Sequence, residues 1–103
     1  MSVINFADMT AHVGLTGDAP EGEYEALAGK VAAAQNHVER LLGFRIEERF
    51  GGEDQEPVPP ALVEAVMQLA AWWFENREAV SDRDRMLPFG VEEIVNEYRE
   101  WSF

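Results

Sequence analysis

The sequence predicts a mainly all-α fold, a small bundle of about four helices of which two are long. Three observations carry that expectation. Apolar residues recur every three or four positions over two long stretches, from about Pro20 to Leu42 and from Pro60 to about Glu78, the period of helices buried along one side. Glycine and proline mark the ends of those stretches, at Gly14 and Gly17 before the first and at Gly43, Gly51, Gly52, Pro57 and Pro59 between the two, where they punctuate elements. Alternation with a period of two, the mark of a half-buried strand, shows only weakly and only over Phe44 to Phe50.

Asn5 is placed to cap a first helix from Phe6 to Val13, with Phe6, Met9 and Val13 on one side. Gly14 and Gly17 end it. Asp18, followed three residues later by Glu21, resembles a capping box, with Pro20 admissible in a first helical turn. The second helix then runs to Leu42, and Gly43 is its stop. Its apolar stripe is Tyr24, Leu27, Val31, Ala34, Val38 and Leu41, while Ala26, Gly29, Ala32 and Ala33 keep much of the remaining surface low enough for another helix to come close. Over 44–50, Phe44, Ile46, Glu48 and Phe50 share one side of an extended chain, so a short strand or hairpin is expected there. The following stretch, 51–60, is an acidic loop whose prolines resist helix until Pro60 takes a first-turn position.

The helix from Pro60 to about Glu78 carries two adjoining stripes, Leu62, Val66, Leu69 and Trp73 beside Val63, Met67, Ala70 and Phe74. At about 100° per residue these merge into an apolar arc wider than one partner helix covers. Trp72 falls outside the arc, near Ala61 and Ala65 and bordering the polar face of Glu64, Gln68 and Glu75. It reads either as an anchor for contact with another molecule or as a ring folded over the rim of its own domain. Arg77 projects near the middle of the arc and calls for a carboxylate or carbonyl partner, because an unpaired buried charge is costly. A loop from Ala79 to Gly90 carries Asp82, Arg83, Asp84 and Arg85 ahead of Leu87-Pro88-Phe89-Gly90. The last helix runs from Val91 to about Trp101, with Val91, Ile94, Val95, Tyr98 and Trp101 inward and Glu92, Glu93, Glu97 and Glu100 outward.

At 103 residues the chain is expected to form one domain over 1–103. A domain of this size buries roughly 60–70% of its unfolded surface, so burial against neighbouring copies would add substantially to a thin core. A hydrophobic fraction of 47% with three Trp and six Phe excludes a wholly disordered chain. No apolar run approaches the roughly 18 residues of a membrane span, and the first residues lack the basic start and apolar core of a secretory signal. With no cysteine there is no disulfide framework and no thiolate zinc site, and an origin in the cytoplasm is expected.

Charge is the strongest bulk signal. Eight basic residues against twenty acidic ones give −12. Affinity for a phosphate backbone comes from Lys and Arg that neutralise phosphates, so a chain this acidic is expected to avoid free nucleic acid; plain solubility is the blander reading of the same charge. Seven of the eight basic residues are Arg, which favours specific carboxylate pairing over a diffuse cationic surface.

No catalytic constellation emerges. His12 and His37 lie on separate predicted helices without a nucleophile motif nearby. The acidic stretch from Asp18 to Glu25 lacks the alternating ligands of a calcium loop. Asp82 and Asp84 alternate with Arg83 and Arg85, an arrangement for local ion pairing, and Glu92 and Glu93 open a helix where negative charge complements the dipole. No enzyme activity, cofactor or metal is expected.

From Pro57 the chain reads PVPPALVEAVMQLAAWWFENREAVSDRDRMLPFGVEEIVNEYREW. This resembles the phage head–tail connector, or adaptor, family of long-tailed phages and related prophage or gene-transfer particles. The features that carry the resemblance are Pro60 before a long helix, the aromatic pair Trp73-Phe74 with Glu75-Asn76-Arg77-Glu78, the step from Leu87 to Gly90, and Tyr98-Arg99 near the end. The first half is compatible, with a helix closing in Glu39-Arg40-Leu41-Leu42-Gly43, although the first helix carries Asp8 and Ala11 in place of the family's usual basic residues.

The resemblance implies a virion subunit assembled in the bacterial cytoplasm into a homo-oligomeric ring of about a dozen copies. The ring would sit between the portal protein and a tail-completion protein, with DNA passing through without specific binding and no membrane involved. Subunit or partner contacts are expected at Trp72, Trp73, Glu75, Arg77, Glu78, Pro88, Phe89, Trp101 and Phe103, and Glu92, Glu93 and Glu97 are expected to face the channel. The loop over 51–60 and the segment 101–103 are expected to be docking segments that order on contact. The alternative is a free acidic inhibitor that mimics the charge of DNA and binds a basic nucleic-acid enzyme. It would suit the composition but leave the aromatic and Leu-Pro-Phe-Gly pattern without a reason.

Overall fold

The computed structural model describes residues 3–15, 17, 19–75 and 89–99. Five helices follow one another: α1 (Phe6–Val13), α2 (Glu21–Leu42), α3 (Ile46–Arg49), α4 (Pro60–Glu75) and α5 (Phe89–Tyr98). The fold is all-α, with four main helices and no strand among the described residues.

Local chemistry sets most of the boundaries. The Asn5 side chain accepts the Asp8 backbone N–H at 3.2 Å and so satisfies one of the unpaired donors at the start of α1. Gly14 ends that helix at φ 79°, where its N–H donates to the Ala11 carbonyl and the Leu15 N–H to the Thr10 carbonyl. Gly43 does the same for α2 at φ 89°, donating to the Glu39 carbonyl at 2.9 Å. At the start of α2, Asp18 of the expected capping box lies outside the described residues. Pro20 is extended (ψ 145°) and holds the cap position without a side-chain bond, so the helix begins only after it.

The two long helices, α2 and α4, pack on each other; α5 lies against α4 and touches α2, and α1 touches both. Leu27, Val31, Ala34, Val38 and Leu42 of α2 meet Leu62, Val66, Leu69, Ala70 and Phe74 of α4 in one core, which Met9, Val91 and Val95 complete. Each fully buried aliphatic side chain contributes about 1.5–3 kcal/mol over the exposed state. At the end of α2 it is Leu42 that is buried, with Leu41 half-buried beside it. A Cβ at Gly90 would meet only the end of the flexible Gln68 side chain, with Oε1 2.9 Å away.

The strand or hairpin expected around 44–50 is not formed. Those residues make a helical turn, α3, flanked by Phe44 and Phe50. In an extended strand six steps would hold these rings about 20 Å apart, whereas their centroids lie 6.3 Å apart. The helical turn also lets Ile46 point fully into the core, which a solvent-side alternation would not require. Of the longer boundaries, α4 is described to Glu75, and the expected continuation to Glu78 lies outside the described residues. The last helix starts at Phe89, two residues before the expected Val91, and ends at Tyr98; Trp101 is outside the described residues.

Candidate functional site

Two surface features stand out once the core is accounted for: the corner where α2 turns into α3, and the outward edge of α4. The corner is polar and is organised by side chains of α2. Gln35 is buried at 7% exposure, and its amide bridges three segments. Its Oε1 accepts the Val3 backbone N–H at 3.0 Å, and its Nε2 donates to Oε1 of Glu47 at 3.0 Å. One helical turn on, Oε2 of Glu39 accepts the Ile46 backbone N–H at 2.8 Å and caps α3, a task that Arg45 at the cap position leaves undone. On the far side of α3 the Arg49 guanidinium lies 4.1 Å over the Phe44 ring. The loop that follows is held by its own bonds: Gly51 N–H to the Glu56 carbonyl at 2.8 Å and Gln55 Nε2 to the Glu48 carbonyl at 2.7 Å.

These contacts leave an open cleft of about 530 Å³ lined by Asn36, Glu39, Arg40, Gly43, Phe44, Arg45 and Glu48. A hollow of about 380 Å³ adjoins it over Gln35 and Glu47. Arg40 and Arg45 are exposed at its wall, and neither has an ion-pair partner among the described residues. His37, on the same helix, is half-buried with its ring edge-on to Trp73 at 5.5 Å. Burial first, and the nearby Arg40 charge second, hold the imidazole below the ordinary histidine value of 6.5.

On α4 the adjacent tryptophans serve opposite sides. Trp73 turns inward against His37, while Trp72 stands 42% exposed on a helix whose aliphatic residues are buried or half-buried. Phe6 of α1, expected on an apolar side, is 38% exposed. Glu75, the last residue of α4, is exposed, and so are Glu92, Glu93 and Glu97 on the outward side of α5. Phe89 opens α5. Arg77, Glu78, Pro88, Trp101 and Phe103 lie outside the described residues, as do the arginines and aspartates of the second loop. The described residues hold no group of three or more His, Asp or Glu placed for a metal ion, and no helix among them is long and apolar enough to cross a membrane.

The polar corner was missed by sequence reasoning, yet Gln35 left a trace. It stands four residues after Val31 and seven before Leu42, on the buried side of α2, where a polar residue must find partners. Glu39 gave no such sign, since its role depends on a turn the sequence did not announce. Compared with known proteins, the chain matches over residues 4–99 the family described as Phage gp6-like head-tail connector protein. No curated protein and no solved structure matches it.

Proposed function

The chain belongs to the Phage gp6-like head-tail connector protein family, and from that premise we propose that it works as a closed homo-oligomeric ring of about a dozen copies. Membership makes it a structural component of the phage virion at the head–tail connection and not an enzyme. In the proposed ring one rim docks on the portal and the other on the next tail component, and DNA passes through the centre. The outward acids of α5, Glu92, Glu93 and Glu97, face that channel and repel the phosphate backbone, which keeps passing DNA from adhering.

The observation that carries the reading within this chain is Trp72. A large aromatic side chain 42% exposed on a helix of buried and half-buried aliphatics is the residue type that dominates protein contacts when it is desolvated. The second tryptophan, packed on His37, holds the local helix from beneath. Glu75 on the same helix, with Arg77, Glu78, Pro88, Phe89, Trp101 and Phe103, completes the proposed contact set.

Light scattering over a concentration series, with and without the cognate portal, tests it. The expected result is a species near a dozen subunits, free or triggered by the portal, and a Trp72→Ala variant that needs roughly 30-fold more protein to reach it. A wild-type chain that stays monomeric or dimeric whatever the portal concentration would overturn the ring and favour the acidic inhibitor.

A further inference from the structure

What lies beside Trp72 limits what can cover it. On the same face of α4 its neighbours are Gln68, four residues before it, and Glu75, three residues after it. Gln68 is half-buried, and its Nε2 donates to Oε1 of Glu64 at 3.0 Å. Glu75 is exposed and has no ion-pair or hydrogen-bond partner among the described residues. Neither α4 nor α5, which lies against it, contains a Lys, Arg or His. The described Lys and Arg residues sit elsewhere, on α2 and α3, between them, and past the end of α5.

A partner that desolvates the exposed indole also approaches Glu75, since Cβ atoms three residues apart on a helix lie about 5–6 Å from each other. A purely aliphatic knob would press on that carboxylate without bringing a counter-charge, and a desolvated, unpaired charge is costly. A guanidinium or ammonium group answers both demands. It lies over the electron-rich face of the indole and donates to the carboxylate. We infer that Trp72 and Glu75 together receive an arginine or lysine side chain of a different, basic protein. The inference rests on the Trp72 contact proposed above and names the chemistry of the group that covers it.

Other occupants fit less well. A second copy carries the same net charge of −12. Its Arg40 and Arg45 share their cleft with Glu39 and Glu48, its Arg49 lies over Phe44, and its Arg99 has a partner of its own. A phosphate backbone draws its affinity from cations, and along α4 it would meet Glu64 and Glu75 and none.

The test measures affinity of the full chain for its cognate portal and for the next tail component, each in turn, with folding followed by circular dichroism. Trp72→Phe and Trp72→Leu separate an aromatic face from plain apolar area. The Leu variant is expected to bind one of the two partners about 3- to 30-fold more weakly than the Phe variant. Glu75→Gln should weaken the wild type several-fold but change the Leu variant little, because both residues act on one group. Glu75→Lys should lose the most, and added salt should narrow the gap between wild type and Glu75→Gln. The inference is overturned if the Leu variant binds as well as the Phe variant and Glu75→Gln changes nothing, which would make the contact apolar. It is also overturned if Glu75→Lys strengthens binding, if neither partner binds, or if the same ranking appears only in self-assembly. A chain that binds a partner with the expected ranking yet never closes a ring sinks the ring reading and leaves this contact standing.

Discussion

The inner side of α2 and the corner at its C-terminal end are built in different ways. Along the inner side, Leu27, Val31, Ala34 and Val38 form a repeating stripe against α4. Each makes the same kind of contact, and no single one defines the arrangement. At the corner every link is different: Gln35 holds the N-terminal segment and Glu47, Glu39 caps α3, and Arg49 covers Phe44. Non-directional burial supplies the energy of the fold, while directional polar bonds fix where the short elements sit. The stripe should therefore fail globally when cut, and the corner locally.

The largest effect should follow a cut in the core. Leu69 of α4 is fully buried, so Leu69→Ala is expected to cost about 2–5 kcal/mol through lost burial and a residual cavity. Thermal melting should show a single transition moved down by at least 10 °C or so for a domain this small. A shift of only a degree or two would mean that the α2–α4 pairing is not the main source of stability, and the contrast with the corner would collapse.

A smaller and more local loss is expected at the corner. Gln35→Ala removes both amide bonds and leaves the Val3 N–H and the Glu47 carboxylate without their partner, a change worth about 1–3 kcal/mol. Hydrogen exchange should accelerate first at Val3 and over Ile46–Arg49, while the α4 amides slow or quicken only with overall stability. Uniform acceleration across α4 would show that the corner and the core are one cooperative unit.

This contrast also explains what the sequence made legible. The bounds of α1, its Asn5 cap and the Gly43 stop follow from cap chemistry, and the structure has them; the stripes of α2 and α4 follow from period and are buried apart from Tyr24, Leu41, Val63, Met67 and Trp73, which are half-buried. The outward placing of Trp72, Glu92, Glu93 and Glu97 follows from the same period. The corner does not repeat, so periodicity was silent there. Four residues of α3 are too few to show a helical period, and the weak alternation of Phe44, Ile46 and Phe50 pointed to a strand. The bonds that decide otherwise span 7, 12 and 32 residues, from Ile46 to Glu39, Gln35 to Glu47 and Val3 to Gln35. Arg40 and Arg45 likewise become a pair only after the chain has turned at Gly43.

The finest test lies where the two regions meet, at His37. Its ring is half-buried against Trp73 and near Arg40, and both surroundings favour the neutral form, so its pKa in the folded chain lies below 6.5. Unfolding restores the ordinary value. Above pH 6.5 the ring is neutral in both states, and this contact contributes in full. As pH falls from 6.5 through the depressed folded value, the unfolded chain takes up a proton that the folded chain resists, and stability declines. Urea midpoints measured between pH 7.5 and 5.5 should fall for the wild type and fall less for His37→Phe, which keeps an aromatic edge toward Trp73 and cannot titrate. Equal slopes would place His37 outside the core contact. Arg40→Glu gives a sharper version, because reversing that charge removes one cause of the depression and should flatten the wild-type slope. A flattened slope in that variant would show that the arginine facing the cleft also acts on the aromatic contact behind it.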